Sequence, residues 1–188
     1  MYQKLIENYQ PDSPMEAKDK ELMLAYFKEA PHDPTTREAA LAHLTSSGFI
    51  LNESFDKVLM VHHNLYGTWA WTGGHADGEQ DLLAVAIKEA QEETGVQGIR
   101  ALSEEIMSLD ILPVWRHEKK GEPVSSHLHL NVAFLLVASE LEALQMKEDE
   151  NSGVAWFPLT DLKSYCHEPQ ILPIYEKLIK KAKKLTQS

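Results

Sequence analysis

Glu89, Glu92 and Glu93 close a run, DLLAVAIKEAQEET, whose apolar residues recur at helical spacing. On a helix the three carboxylates share one face, three and four residues apart. Leu83, Ala86, Ile87 and Ala90 share another face, suited to docking on a sheet. Like charges at that spacing repel, and the helix dipole disfavours anions near a C-terminus. A solvated surface tolerates such a cluster. A bound Mg²⁺ or Mn²⁺ turns the repulsion into ligation, because hard cations take several carboxylate oxygens. Gly73-Gly74 precede the run, removing side chains where backbone must approach another group. Gly95 follows it as a helix stop.

The surrounding pattern supplies elements to hold this helix. Ser13-Pro14 opens a helix to about Ala30, ended by Pro31 and Pro34. Its Leu22, Leu24, Ala25, Tyr26 and Phe27 form an apolar patch, for packing on its own chain or for a homodimer contact. Residues 1–12 read as an irregular or weakly helical arm, and 36–44 as a short helix. Residues 46–51 and 57–62 flank a turn and form a hairpin. Strands are expected at 69–71, 99–102, 108–116, 127–137 and 154–158, with a polar loop over 117–126. The acidic stretch 140–152 reads as loop with one or two helical turns. Helices follow over 161–166 and 171–186. Strands on both sides of one central helix, with more helices at the ends, make an α/β or α+β domain.

Composition narrows the function. The 188-residue chain has a net charge of −11 and a pI near 5.2, which argues against a nucleic-acid partner. A small phosphorylated substrate stays compatible, since a divalent cation reverses the local sign. Cys166 is the single cysteine, so no disulfide forms within the chain and a reducing cytoplasm is the expected location. Its neighbour His167 suggests nucleophilic chemistry, but a lone cysteine is more often packing. The polar N-terminus lacks the apolar core of a signal peptide, and no apolar run is long enough for a membrane span.

The stretch Gly74–Val96 resembles the Nudix box: Gly, five residues, Glu, seven residues, Arg-Glu, a bulky aliphatic, any residue, Glu-Glu, any residue, Gly, a bulky aliphatic. The spacing matches over all 23 positions. Three residues depart: Gln80 replaces the first Glu, Lys88 the Arg, and Ala90 the bulky aliphatic. Residues 67–75 resemble the strand entering the box, with Thr72 where proline is frequent. Val154-Ala-Trp-Phe-Pro-Leu159 and Asp161-Leu162 resemble the closing strand and helix. The resemblance implies a Nudix-type α/β/α sandwich with a mixed sheet over residues 45–188, including the C-terminal helix, after an N-terminal helical extension over 1–44.

It also implies hydrolysis of a pyrophosphate bond in a nucleoside diphosphate derivative (a nucleoside triphosphate, a nucleotide sugar or a related molecule) by metal-activated water, with Mg²⁺ or Mn²⁺ as cofactor. Carried over onto this sequence, Glu89 and Glu93 are the main metal ligands, with the Gly74 carbonyl as another. Glu92 is a further ligand or the base, and Glu150, four residues before Val154, is a second candidate base. Lys88 neutralises carboxylates but lacks the two-pronged donor of Arg. Glu79 and Asp81 flank Gln80, and Glu79 is the expected substitute for the missing acid. His75 follows the double glycine and could touch substrate phosphate. His127 and His129 alternate on one strand and share a face. A subgroup of the family resembles this chain in GGHADG and in Gly121-Glu122-Pro123 through His127-Leu-His129, which implies a subgroup-specific substrate or metal contact. Zinc is not expected from the histidines, which lack a supporting cysteine or tight ligand spacing. Trp71, with Tyr66, Trp69 and Trp115, is a candidate to stack on a base. The rival reading is a catalytically weak or inactive module that binds a nucleotide ligand. Gln80 and Lys88 favour it; the three intact glutamates oppose it.

Overall fold

Residues 42–52 and 127–138 are rich in apolar residues and free of proline, the pattern of strands covered on both faces. They become the centre of the sheet. A computed structural model describes residues 2–119 and 121–186; Met1, Lys120, Gln187 and Ser188, which touch the expected arm, the 117–126 loop and the end of the C-terminal domain, lie outside the described residues. In chain order the elements are α1 (Tyr2–Asn8), α2 (Pro14–Glu29), β1 (Ala42–Asn52), β2 (Lys57–His63), β3 (Thr68–Ala70), β4 (Thr72–His75), α3 (Leu82–Thr94), β5 (Arg100–Ala101), β6 (Ser108–Val114), β7 (His117–Lys119), β8 (Glu122–Val124), β9 (His127–Ala138), β10 (Asn151–Pro158), α4 (Leu162–Tyr165) and α5 (Leu172–Thr186). A 3₁₀ turn, Leu159–Asp161, leads into α4.

The main sheet runs β10-β2-β1-β9-β5, with β3 on β2, β4 on β1 and β6 on β9. β1 and β9 are parallel, in register from Ala42↔Leu128 to Asn52↔Ala138. The other pairings are antiparallel, so the sheet is mixed. β7 and β8 form a separate hairpin.

Alternation along β1 and β9 separates two cores. Leu44, Ile50, Leu130, Val132, Phe134 and Leu136 pack with Leu82, Ala86 and Ala90 of α3. Phe49, Leu51, Ala133 and Leu135 face Tyr175, Leu178 and Ala182 of α5. The result is an α+β sandwich with helices on both faces of a mixed sheet. α1 and α2 complete the α3 side: Tyr2, Ile6, Tyr9 and Met23 are buried in its core. Glu16 of α2 is buried, accepts from Tyr9 Oη at 2.6 Å and pairs with Lys177 of α5. The patch on α2 thus packs largely on its own chain, while Leu22 stays exposed.

Four local expectations are corrected. Residues 36–44 do not form a helix. Asp33 Oδ1 accepts from the Thr35 amide and hydroxyl, a turn, and β1 already begins at Ala42. Ala39 and Ala40 sit in turns, their amides bonded to the Thr36 and Glu38 carbonyls, and from Ala42 on ladder bonds to β9 override helix preference. Residue 45, the expected domain start, therefore falls inside β1. The 117–126 loop contains the β7–β8 hairpin, closed at Gly121 with φ +84°. The acidic stretch forms turns rather than helix, and β10 starts at Asn151. The 161–166 helix is shorter than expected: α4 covers Leu162–Tyr165 after the 3₁₀ turn. Among the described residues no helix is long and apolar enough to cross a membrane.

Candidate active site

α3 is fixed at both ends. Asp81 caps its start by accepting from the Ala84 amide at 3.1 Å, and Gly95 at φ 77° ends it with a bond to the Gln91 carbonyl. Its apolar stripe docks on β1 and β4, which turns Glu89 and Glu93 inward at the Gly73-Gly74 corner. Gly74 pairs with Ser46 and faces α3. A Cβ there would sit 2.6 Å from Glu89 Oε2, so only glycine leaves the carboxylate its place. The Gly73 amide donates to Glu93 Oε2 at 3.3 Å.

Glu93 is only 3% exposed. Burial first, then the charge of Glu89, pushes its carboxyl up to about 8. Burial also raises Glu89; Lys88 opposes this and Glu92 adds to it. Two desolvated carboxyls side by side favour a cation or a proton. Glu92 lies outward, with Lys88 Nζ at 3.6 Å and Lys147 Nζ at 3.5 Å. Lys88 also reaches Glu89 at 3.8 Å. Glu150 joins the group through Lys147 at 3.1 Å and also meets Lys119 at 3.5 Å. Burial works against its charge, but the two lysines win and hold its pKa below the ordinary value.

The donor set suits Mg²⁺ or Mn²⁺: hard oxygens only, at a point where burial penalises uncompensated charge. Mg²⁺ commonly uses one or two carboxylates and completes its shell with water and substrate phosphate. Glu89, Glu93 and the Gly74 backbone are the groups that could hold such an ion.

Other expected residues fall elsewhere. Glu79 accepts from the Gln80 and Asp81 amides at 2.7 and 2.9 Å, and Asp81 is the helix cap. Trp71 packs edge-on against Tyr175, and Trp69 against Phe157. These rings belong to the α5-side core, while Trp115 and Tyr66 are exposed. Cys166 is buried in the same core, and burial raises its thiol pKa.

His75, His127 and His129 converge, together with His43, which the sequence did not single out. Their ligand atoms all lie within 4.8 Å of one another. The register explains it: His43 pairs with His129, Thr45 pairs with His75, and His127 is two residues from His129. All four therefore project from the face opposite α3. Burial pushes His129 down to about 2 and His75 to about 3, and lowers His43.

The family model of the NUDIX domain matches residues 41–179. The chain belongs to the Nudix family. No curated protein matches it in sequence. Among solved structures, an Ap4A hydrolase binary complex from C. elegans is 19% identical, covering 71% of this chain and 93% of that one, at TM-score 0.52. A NUDIX-family hydrolase from Clostridium perfringens is 23% identical, with coverage of 74% and 97% and TM-score 0.52. The NUDIX domain of Shewanella oneidensis NrtR, complexed with ADP ribose, is 21% identical, with coverage of 84% and 97% and TM-score 0.51. At these identities the likeness establishes the fold, which is that of the Nudix hydrolases.

Proposed function

We propose that the protein is a divalent-metal-dependent hydrolase of a pyrophosphate bond in a nucleoside diphosphate derivative. The observation that carries this reading is the buried Glu93, held by the Gly73 amide beside Glu89 within a Nudix box of unbroken spacing. Mg²⁺ or Mn²⁺ held there supplies charge neutralisation on the pyrophosphate and makes water a better nucleophile. Glu89 and Glu93 bind the cation. Gly74 leaves room for Glu89 and offers its carbonyl as a further donor. Glu92, at the open side of the group, accepts the proton from the attacking water. Lys88 and Lys147 hold Glu92 and face the incoming phosphates. Glu150, paired with Lys147 at 3.1 Å, positions that lysine beside Glu92.

Gln80 and Lys88 favour a second reading, a Nudix-like module that binds a nucleotide ligand without turning it over. One experiment separates them. The protein and Glu92→Gln are incubated with nucleoside triphosphates, nucleoside diphosphate sugars and dinucleoside polyphosphates, with Mg²⁺ or Mn²⁺ and with an EDTA control. Metal-dependent release of phosphorylated products, lost in Glu92→Gln, supports the enzyme. Ligand binding by calorimetry without release supports the module.

A further inference from the structure

We infer that His43, His75, His127 and His129 form a second metal site, a closed tetrahedral site for Zn²⁺ that staples β1, β4 and β9 on the sheet face opposite the carboxylates. Three kinds of geometry support it.

The first is spacing. Zinc–imidazole bonds of about 2.0–2.1 Å at tetrahedral angles put ligand nitrogens about 3.3 Å apart. His127 Nε2 and His129 Nε2 are 3.3 Å apart. The same geometry places ring centres about 3.2 Å from the metal and therefore about 5.2 Å from one another. Five of the six ring pairs lie between 4.9 and 5.4 Å: His43 with His75, His127 and His129, and His129 with His75 and His127. A square-planar ion would hold two opposite pairs at about 6.4 Å, so at least one of these five would have to be that long. Imidazole donors in a tetrahedron select zinc.

The second is the outer hydrogen bonds. His43 Nδ1 lies 3.2 Å from the Ala39 carbonyl, and His127 Nδ1 lies 2.9 Å from the Ser125 carbonyl. A carbonyl only accepts, so each Nδ1 carries the proton and each Nε2 presents a lone pair. Metal-ligating histidines are oriented in the same way. The third is an orphan. His43 is 95% buried, being 5% exposed, and its Nε2 has no hydrogen-bond partner. A buried acceptor without a partner is unfavourable, and a cation among the four rings would satisfy it.

Arg37 and Lys119 are the cations that act on the rings, and each has an acidic partner: Lys119 pairs with Glu150 at 3.5 Å. Arg37 is engaged by Asp77, with two bonds of 2.7 Å. Four protein ligands leave no open coordination position, so the ion is structural. Its consequence reaches the carboxylates through β4: His75 adjoins Gly74, and anchoring His75 fixes the strand from which Gly74 meets Glu89.

The test uses the full chain without an affinity tag. The protein is stripped with a chelator, reloaded with Zn²⁺, desalted and analysed for metal by mass spectrometry. In parallel Co²⁺ is added as a spectroscopic probe. One zinc per chain and intense visible bands of tetrahedral Co²⁺ are expected. His127→Gln, near the mouth of the cluster, and His129→Gln should each weaken zinc binding about tenfold or more. Glu89→Gln/Glu93→Gln should keep the zinc, which separates this site from the proposed catalytic one. Circular dichroism checks that each variant is folded. The inference is overturned if the reloaded protein holds no zinc, if Co²⁺ gives only weak octahedral bands, or if folded histidine variants bind zinc as the parent does.

Discussion

Replacing Glu93 by Gln should stabilise the metal-free protein at alkaline pH while destroying its divalent-cation site. Folding raises this carboxyl from 4.5 to about 8, mainly through burial. The folded state then holds a proton that the unfolded chain releases between those values. The resulting stability is fully present below about pH 4.5 and drains away as the pH rises to about 8. At about 1.4 kcal/mol per pH unit, ionising Glu93 in the metal-free fold costs up to about 4 kcal/mol at pH 8. Gln keeps an acceptor for the Gly73 amide but buries an amide donor, which takes back about 1–2 kcal/mol. The net gain is about 2 kcal/mol, or roughly 4–8 °C in Tm for a chain of this size. Thermal unfolding of both proteins in EDTA at about pH 5 and pH 8 measures it. The low-pH protonation of His75 and His129 is common to both proteins and cancels. The Tm gap should open with pH and close again when Mg²⁺ is added, because only the parent gains from the ion. A gap that is the same at both pH values refutes the claim that Glu93 is buried at a charge penalty.

Three further predictions concern the same corner. Gly74→Ala places a methyl against the Glu89 carboxylate, whose flexible end can move aside; turnover should fall at least about tenfold with a Tm loss of only a few degrees, read by kinetics and calorimetry together. Glu92→Gln should lower kcat by about 10²–10⁴, whereas Glu150→Gln should cost about tenfold or less, as expected for a residue that positions Lys147; equal losses would return Glu150 to the role of base. Lys88→Arg should keep or raise activity, since a guanidinium spans Glu89 and Glu92 at least as well as Lys88 does at 3.8 and 3.6 Å; a large loss in steady-state kinetics would show that the ammonium itself is needed.

Local chemistry alone determined the helix that carries the acids. Its cap, apolar stripe and stopping glycine lie within the stretch from Asp81 to Gly95, so its bounds were readable from spacing, and the Nudix box with them. The β1–β2 hairpin was legible for the same reason, as two apolar runs around a short turn. Tertiary structure decided what no local pattern encodes. Residues 36–44 look helical by composition, but β1 begins at Ala42 because parallel pairing with residues 128–138 is worth more than a short helix. That misreading also hid His43, whose alternation with Thr45 and Ser47 is visible only on a strand. That Glu79 accepts from the Gln80 and Asp81 amides at the start of α3 is likewise a contact only the folded chain shows. Which acids are desolvated, and that Lys147 ties Glu92 to Glu150, depends on burial and on a contact across 55 positions of chain. The four histidines, at positions 43, 75, 127 and 129, meet because three strands come into one register, and register is a property of the whole sheet.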